Sequence, residues 1–122
     1  MNPLAIIGGS YSIQGFDHEG DEKFWNVTGD NASALCFCDI NNDGIYELLV
    51  GSDDYKIRAF QNEDILFEIS ETGKVSELVP LHKSKFIFTL TNGSCGVYEG
   101  KKRLLVKYEM EKIYLFITIY YP

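Results

Sequence analysis

Residues 38–52, CDINNDGIYELLVGS, decide how this 122-residue chain is read. Acidic and amide side chains stand at alternate positions, then a glycine, then an apolar run. Asp39, Asn41, Asp43, Gly44 and Glu47 occupy positions 1, 3, 5, 6 and 9 of a loop, and the carbonyl of Ile45 falls at position 7. Alternate side-chain oxygens can converge on a hard cation, and the glycine permits the sharp turn. An EF-hand needs a bidentate Glu at position 12 and a helix after it. Position 12 is Val50, inside a run with strand character, so the EF-hand is excluded. Two readings stand. Asp39, Asn41, Asp43, Ile45 and Glu47 bind calcium, or Asp and Asn side chains hold their own turn by hydrogen bonds. With Asn41 in place of a fourth acid, the charge count is low for filling at micromolar calcium.

On either side of this loop, helix signals are nearly absent. Short β-rich runs (LAIIGG, SIQGF, KFWNVT, ALCFCDI, ELLVGS, KIRAF, ILFEIS, SELVPL, FIFTLT, CGVYE, RLLVKYE) alternate with breaks rich in Gly, Asn, Asp and Ser. Strands at this spacing predict an all-β fold of antiparallel neighbours. Asn92-Gly93 predicts a hairpin with a type I′ turn. The pattern also repeats. Ile13 and Phe16 recur as Ile57 and Phe60, 44 residues on, and as Cys95 and Tyr98 after a further 38. A period near ~40 with four strands per unit is the signature of propeller blades. The expectation is a partial β-propeller of about two and a half WD/FG-GAP-like four-stranded blades. These are a partial blade over residues 3–29, a blade over 34–73 and a blade over 75–109. A divergent tail, 111–122, supplies one extra strand. A closed propeller needs ~4 to 8 blades, so the chain reads as a piece of a larger one; the alternative is a compact β-sandwich or barrel whose self-similarity is accidental.

Composition bounds the partners. Hydrophobic residues make up 45% and aromatics 14%, which supports a packed core. The net charge of -7 argues against nucleic acid and anionic membrane surfaces. Cys36, Cys38 and Cys95 make no disulfide framework. Cys36 and Cys38 share a strand face, where a bridge would be strained, so all three are expected as thiols. Zinc-ligand spacing is missing, and no apolar run is long enough to span a membrane. No export signal is visible, so the Asn-X-Ser/Thr sites at Asn26, Asn31 and Asn92 read as chance matches. His18 lies among Asp17, Glu19, Asp21 and Glu22, a set that could do acid–base chemistry but reads as a solvated turn. No nucleophile elbow or phosphate loop accompanies it, so no enzyme is expected and no catalytic residue is assigned. Tyr11, Trp25, Tyr46 and Tyr55 are aromatics near turns. They are candidate contact residues, with core or inter-blade packing the plainer expectation.

The acidic loop resembles the strand–loop–strand calcium site of FG-GAP blades in integrin propellers, which keeps an extracellular adhesion module as the alternative function. As a set, NPLAIIGG, QGFDHEG, FWNVTGDN, CDINNDGIYELLVGS, DYKIRAF and LTNGSCGVYE resemble the middle region of the Bardet–Biedl syndrome 2 family of BBSome subunits, from residue 2 to about residue 100. The resemblance implies part of an N-terminal β-propeller and a non-enzymatic scaffold. It implies the cytoplasm, the basal body with centriolar satellites, and the cilium with its membrane as locations. It further implies transport of membrane proteins into and out of the primary cilium as the role. The implied partners are other BBSome subunits, chiefly the Bardet–Biedl syndrome 7 and 9 proteins, with ciliary membrane-protein cargo reached through the complex. After VYEGKKRLLVKYE the tail KIYLFITIYYP departs from the family, which suggests a truncated or alternatively spliced product. That tail is rich in β-formers and uncharged from Tyr114 to Tyr121. It is expected to drive self-association, the alternative being that it folds back as a closing strand.

Overall fold

The computed structural model describes residues 5–107. Eleven strands and no helix make up the described residues. In chain order they are β1 (Ala5–Gly8), β2 (Ser12–Phe16), β3 (Glu22–Val27), β4 (Ala32–Cys38), β5 (Glu47–Ser52), β6 (Lys56–Gln61), β7 (Asp64–Ser70), β8 (Val75–Pro80), β9 (Lys85–Leu90), β10 (Cys95–Glu99) and β11 (Lys102–Lys107). They form three meanders, β1-β2-β3, β4-β5-β6-β7 and β8-β9-β10-β11, with every neighbouring pair antiparallel. The fold is all-β and of partial-propeller type. The tail from residue 111, with its expected extra strand, lies outside the described residues.

The second sheet is the middle layer, and its sequence shows why. All six residues of β5 are buried, so ELLVGS lacks the alternation of a half-exposed strand. In the register Leu48↔Phe60 and Leu49↔Ala59, alternate side chains still go to opposite faces. Leu48, Val50 and Phe60 join Ile13 and Phe24 of the first sheet. Leu49, Ile57 and Ala59 join Val75, Leu78, Phe86 and Phe88 of the third. The two clusters hold the three sheets face to face.

The internal repeat has a geometric meaning here. Ile13 packs towards the second sheet and Ile57 towards the third. The aromatics three residues on look the other way: Phe60 packs towards the first sheet and Tyr98 towards the second. An odd spacing on a strand reverses the face. The middle copy therefore sends its aliphatic residue forward and its aromatic residue back, with Ile13 and Tyr98 facing it from either side.

Gly51 sets how closely the second and third sheets approach. A Cβ at that position would lie 2.4 Å from Cγ1 of Val75. The hydroxyl of Ser33 donates to the Val75 carbonyl across the same seam.

The hairpin at Asn92-Gly93 forms, but not with the expected type I′ turn, which needs positive φ at both central residues. Gly93 has φ 91, and Asn92 is not among the described residues with positive φ. The Asn92 side chain accepts the Ser94 N–H at 3.0 Å and donates to the Thr72 carbonyl at 3.3 Å. That reach back to the preceding sheet favours an ordinary turn conformation for Asn92 and leaves the left-handed step to glycine.

Candidate functional site

The acidic loop connects β4 to β5 at one end of the middle sheet. Asp39 organises it. One of its carboxylate oxygens accepts the Asp43 N–H at 3.1 Å and the other accepts the Gly44 N–H at 2.8 Å. Asp43 accepts the Ile45 N–H at 2.8 Å. Asn42 and Gly44 turn the chain with φ 59 and 84. Such local bonds are what Asp and Asn supply in any tight turn.

Glu47 is different. It is only 1% exposed although it is a carboxylate. Its Oε2 accepts the Ile40 N–H at 3.0 Å, while its Oε1 is buried with no hydrogen-bond partner. Burial raises its carboxyl above the ordinary range against the pull of the Ile40 N–H, and the charges of Asp43 and Asp39 push the same way. Asp39, Asp43 and Glu47 each offer an oxygen within 4.8 Å of the others. Asn41 and Ile45, the remaining ligands expected from sequence, stand on the exposed rim of the same loop. A hard cation such as calcium fits this donor set, because the orphaned Glu47 oxygen lacks the partner that a buried carboxylate requires.

The loop also joins two seams. On one side Cys38 donates its thiol to the Lys85 carbonyl at 3.4 Å, and Ile40 is buried in the cluster between the second and third sheets. On the other side Phe37 and Tyr46 line an open cleft of about 410 Å³ with Ile6, Phe24, Leu48 and Phe60.

The remaining candidates separate clearly. Tyr11, Trp25, Tyr46 and Tyr55 were expected mainly in packing, yet they are 65%, 49%, 58% and 46% exposed. Tyr11 and Tyr55 sit in turns, Tyr46 sits on the acidic loop, and Trp25 lies on the outer face of the first sheet, so none points into either cluster. His18 is in an exposed turn, 3.7 Å from Glu19, and Asp17 there accepts the Glu19 and Asp21 N–H groups. Cys36, Cys38 and Cys95 carry thiols and not disulfides. Burial and then Cys38 push the Cys36 thiol up to about 12. Burial, then Glu47 and Asp39, push Cys38 up to about 11. Both are therefore protonated and unreactive near neutral pH.

Two polar networks escaped the sequence reading. Arg58 is 6% exposed. It donates to Asp54 at 2.6 Å, to Ser52 at 2.9 Å and to Glu68 at 3.0 Å. Tyr98 donates its hydroxyl to Glu71, which also receives Arg103 at 3.0 Å. Arg58 and Glu68 stand opposite each other in the β6–β7 register, so that pair could have been found once the strands were aligned. Glu71 lies just after β7 in the connection to β8 and Tyr98 lies in β10, and no local signal joins them.

The family model of the Ciliary BBSome complex subunit 2, middle region, matches residues 34–119. The BBSome complex member BBS2 of Rattus norvegicus is 52% identical over 101 residues, 83% of this chain and 14% of that protein. The BBSome complex member BBS2 of Homo sapiens is 50% identical over 102 residues, 84% of this chain and 14% of that protein. The BBSome complex member bbs-2 of Caenorhabditis elegans is 38% identical over 119 residues, 95% of this chain and 17% of that protein. The chain thus spans about one-seventh of the length of the mammalian relatives it matches. With the family model matching residues 34–119 and about half of the aligned residues identical to the mammalian proteins, the chain belongs to the family of ciliary BBSome complex subunit 2.

Proposed function

We propose that this chain is the blade-bearing segment of a BBSome subunit and works as a non-enzymatic scaffold. The three sheets serve as one partial blade, residues 3–29, and two whole blades, 34–73 and 75–109. Its place is in a complex that moves membrane proteins to and from the primary cilium. It would act in the cytoplasm, at the basal body and centriolar satellites, and at the ciliary membrane through the complex. The observation that carries this reading is the match to the subunit's middle region across both four-stranded sheets. Its partners are other BBSome subunits, the Bardet–Biedl syndrome 7 and 9 proteins first, with membrane-protein cargo bound through the assembly. A rigid meander that presents exposed turn aromatics suits protein contact, since Tyr and Trp make effective anchors.

Co-expression with the Bardet–Biedl syndrome 7 and 9 proteins tests this. Co-elution of the tagged chain with either protein is expected. Weaker recovery is expected when Trp25 or Tyr46 is replaced by Ala. Absence from both, and from the assembled complex, contradicts the reading.

A further inference from the structure

We propose that Asp39, Asp43 and Glu47 form a calcium site that fastens the β4–β5 loop onto the seam between the second and third sheets. The hydrogen-bonded turn explains Asp39 and Asp43 completely: each is occupied by N–H groups of its own loop. It does not explain Glu47. The Ile40 N–H needs one acceptor, which a neutral side chain could supply, and the second oxygen is buried with nothing opposite it. A buried carboxylate without a partner is strongly disfavoured. A cation shared with two neighbouring carboxylates removes that penalty.

The spacing agrees. Two oxygens each about 2.4 Å from one calcium ion lie at most about 4.8 Å apart. The three carboxylates offer oxygens that all lie within 4.8 Å of one another. The donors also select the ion. They are oxygens on an irregular loop, which suits the loose coordination of calcium better than the strict octahedron of magnesium. The Cys38 sulfur is directed at the Lys85 carbonyl at 3.4 Å, and the clustered donors are carboxylate oxygens alone.

The ion would act on packing as well as on the loop. Ile40 lies between Asp39 and the Glu47 contact, and its side chain belongs to the cluster with Val75, Leu78, Phe86 and Phe88. A Cβ on Gly100, in the β10–β11 turn, would lie 3.9 Å from the Ile40 carbonyl oxygen. Fixing residues 39–47 therefore fixes one end of the seam.

Calorimetric titration of the full chain with calcium chloride, paired with thermal melts, tests the proposal. Saturable heat with a dissociation constant of about 1 mM or tighter is expected, together with a rise in melting temperature. Glu47→Gln, which keeps the shape and the Ile40 acceptor, should weaken binding at least about tenfold and abolish the rise. Glu77→Gln, on the exposed side of β8, should respond like the wild type. If Glu47→Gln does not fold, Asp43→Asn replaces it, because its amide oxygen still accepts the Ile45 N–H, and the same loss is expected. No saturable heat in the wild type overturns the proposal. Unchanged affinity in the folded variants, or an equal loss in Glu77→Gln, overturns it as well.

Discussion

Gly51 and Val75 meet across the seam between the second and third sheets with no room for another carbon, since a Cβ at 51 would lie 2.4 Å from Val75 Cγ1. Val75 is completely buried and belongs to the larger cluster. Gly51→Ala must therefore force the sheets apart or displace Val75. Overpacking of this kind costs about 1–3 kcal/mol. Chemical denaturation should show Gly51→Ala unfolding at lower denaturant. The double variant Gly51→Ala, Val75→Ala should recover only part of the loss, because the Cγ1 clash is gone while the Cβ of residue 75 still lies 2.7 Å from the added carbon.

Arg58 is the buried charge whose removal should cost most. Burial alone would raise the Asp54 carboxyl from 3.8, but hydrogen bonds from Arg58 and Ser52 outweigh it and the net shift is downward. For Glu68 the hydrogen bond from Arg58 is the largest influence, and it lowers the carboxyl from 4.5. Arg58→Met is expected to destabilise by about 3 kcal/mol, the low end for breaking a buried pair, because Asp54 and Glu68 keep some water.

The same pair predicts a pH dependence. Both folded-state values lie below the unfolded ones, so the stabilisation is complete above about 4.5 and is lost as the pH falls through the folded values. Between about pH 5 and pH 3, wild-type stability should fall more steeply than that of Arg58→Met. Parallel curves would place the acid sensitivity elsewhere.

Tyr98 combines two roles that a single change separates. Its ring stacks on Phe86 with centroids 5.5 Å apart, and its hydroxyl donates to Glu71. Burial and then the Glu71 carboxylate push the phenol up to about 12. Tyr98→Phe keeps the stack and should cost about 1–2 kcal/mol, since Glu71 retains Arg103. Spectroscopic titration should lose its highest tyrosine step in that variant.

The outer face of the first sheet presents Ile7, Trp25 and Val27, which are 56%, 49% and 53% exposed. In the strand register they surround Gln14 on the side away from the second sheet. Among the described residues neither core cluster covers this face, and an exposed apolar face favours association. Sedimentation should show concentration-dependent self-association of the chain, reduced by Trp25→Ser. A chain that stays monomeric at all concentrations contradicts this.

Some of this was legible in the sequence, for identifiable reasons. The strands could be read because turn residues punctuate them so regularly, and the stacking because Ile13, Ile57 and Cys95 recur with an aromatic three residues on. The type I′ turn expected at Asn92-Gly93 gives way where the Asn92 side chain reaches Thr72, a partner distant in sequence that no local signal marks. The exposed aromatics were misjudged because a large apolar side chain near a turn carries no mark of which face it takes. At the acidic loop the alternating acids were plain, but the feature that separates ion from turn was not. That feature is the depth of Glu47, which depends on the sheets packed around β5.

The three meanders stack in chain order, with the second between the first and the third. Nuclear Overhauser measurements on the labelled chain test it directly. Cross-peaks are predicted from the Phe24 ring to Phe60, whose centroids are 6.3 Å apart, and from the Val75 methyls to the Gly51 α-protons. Cross-peaks from Phe24 to Phe88, with none to Phe60, would mean that the first sheet packs on the third, as in a closed sandwich, and would contradict the account.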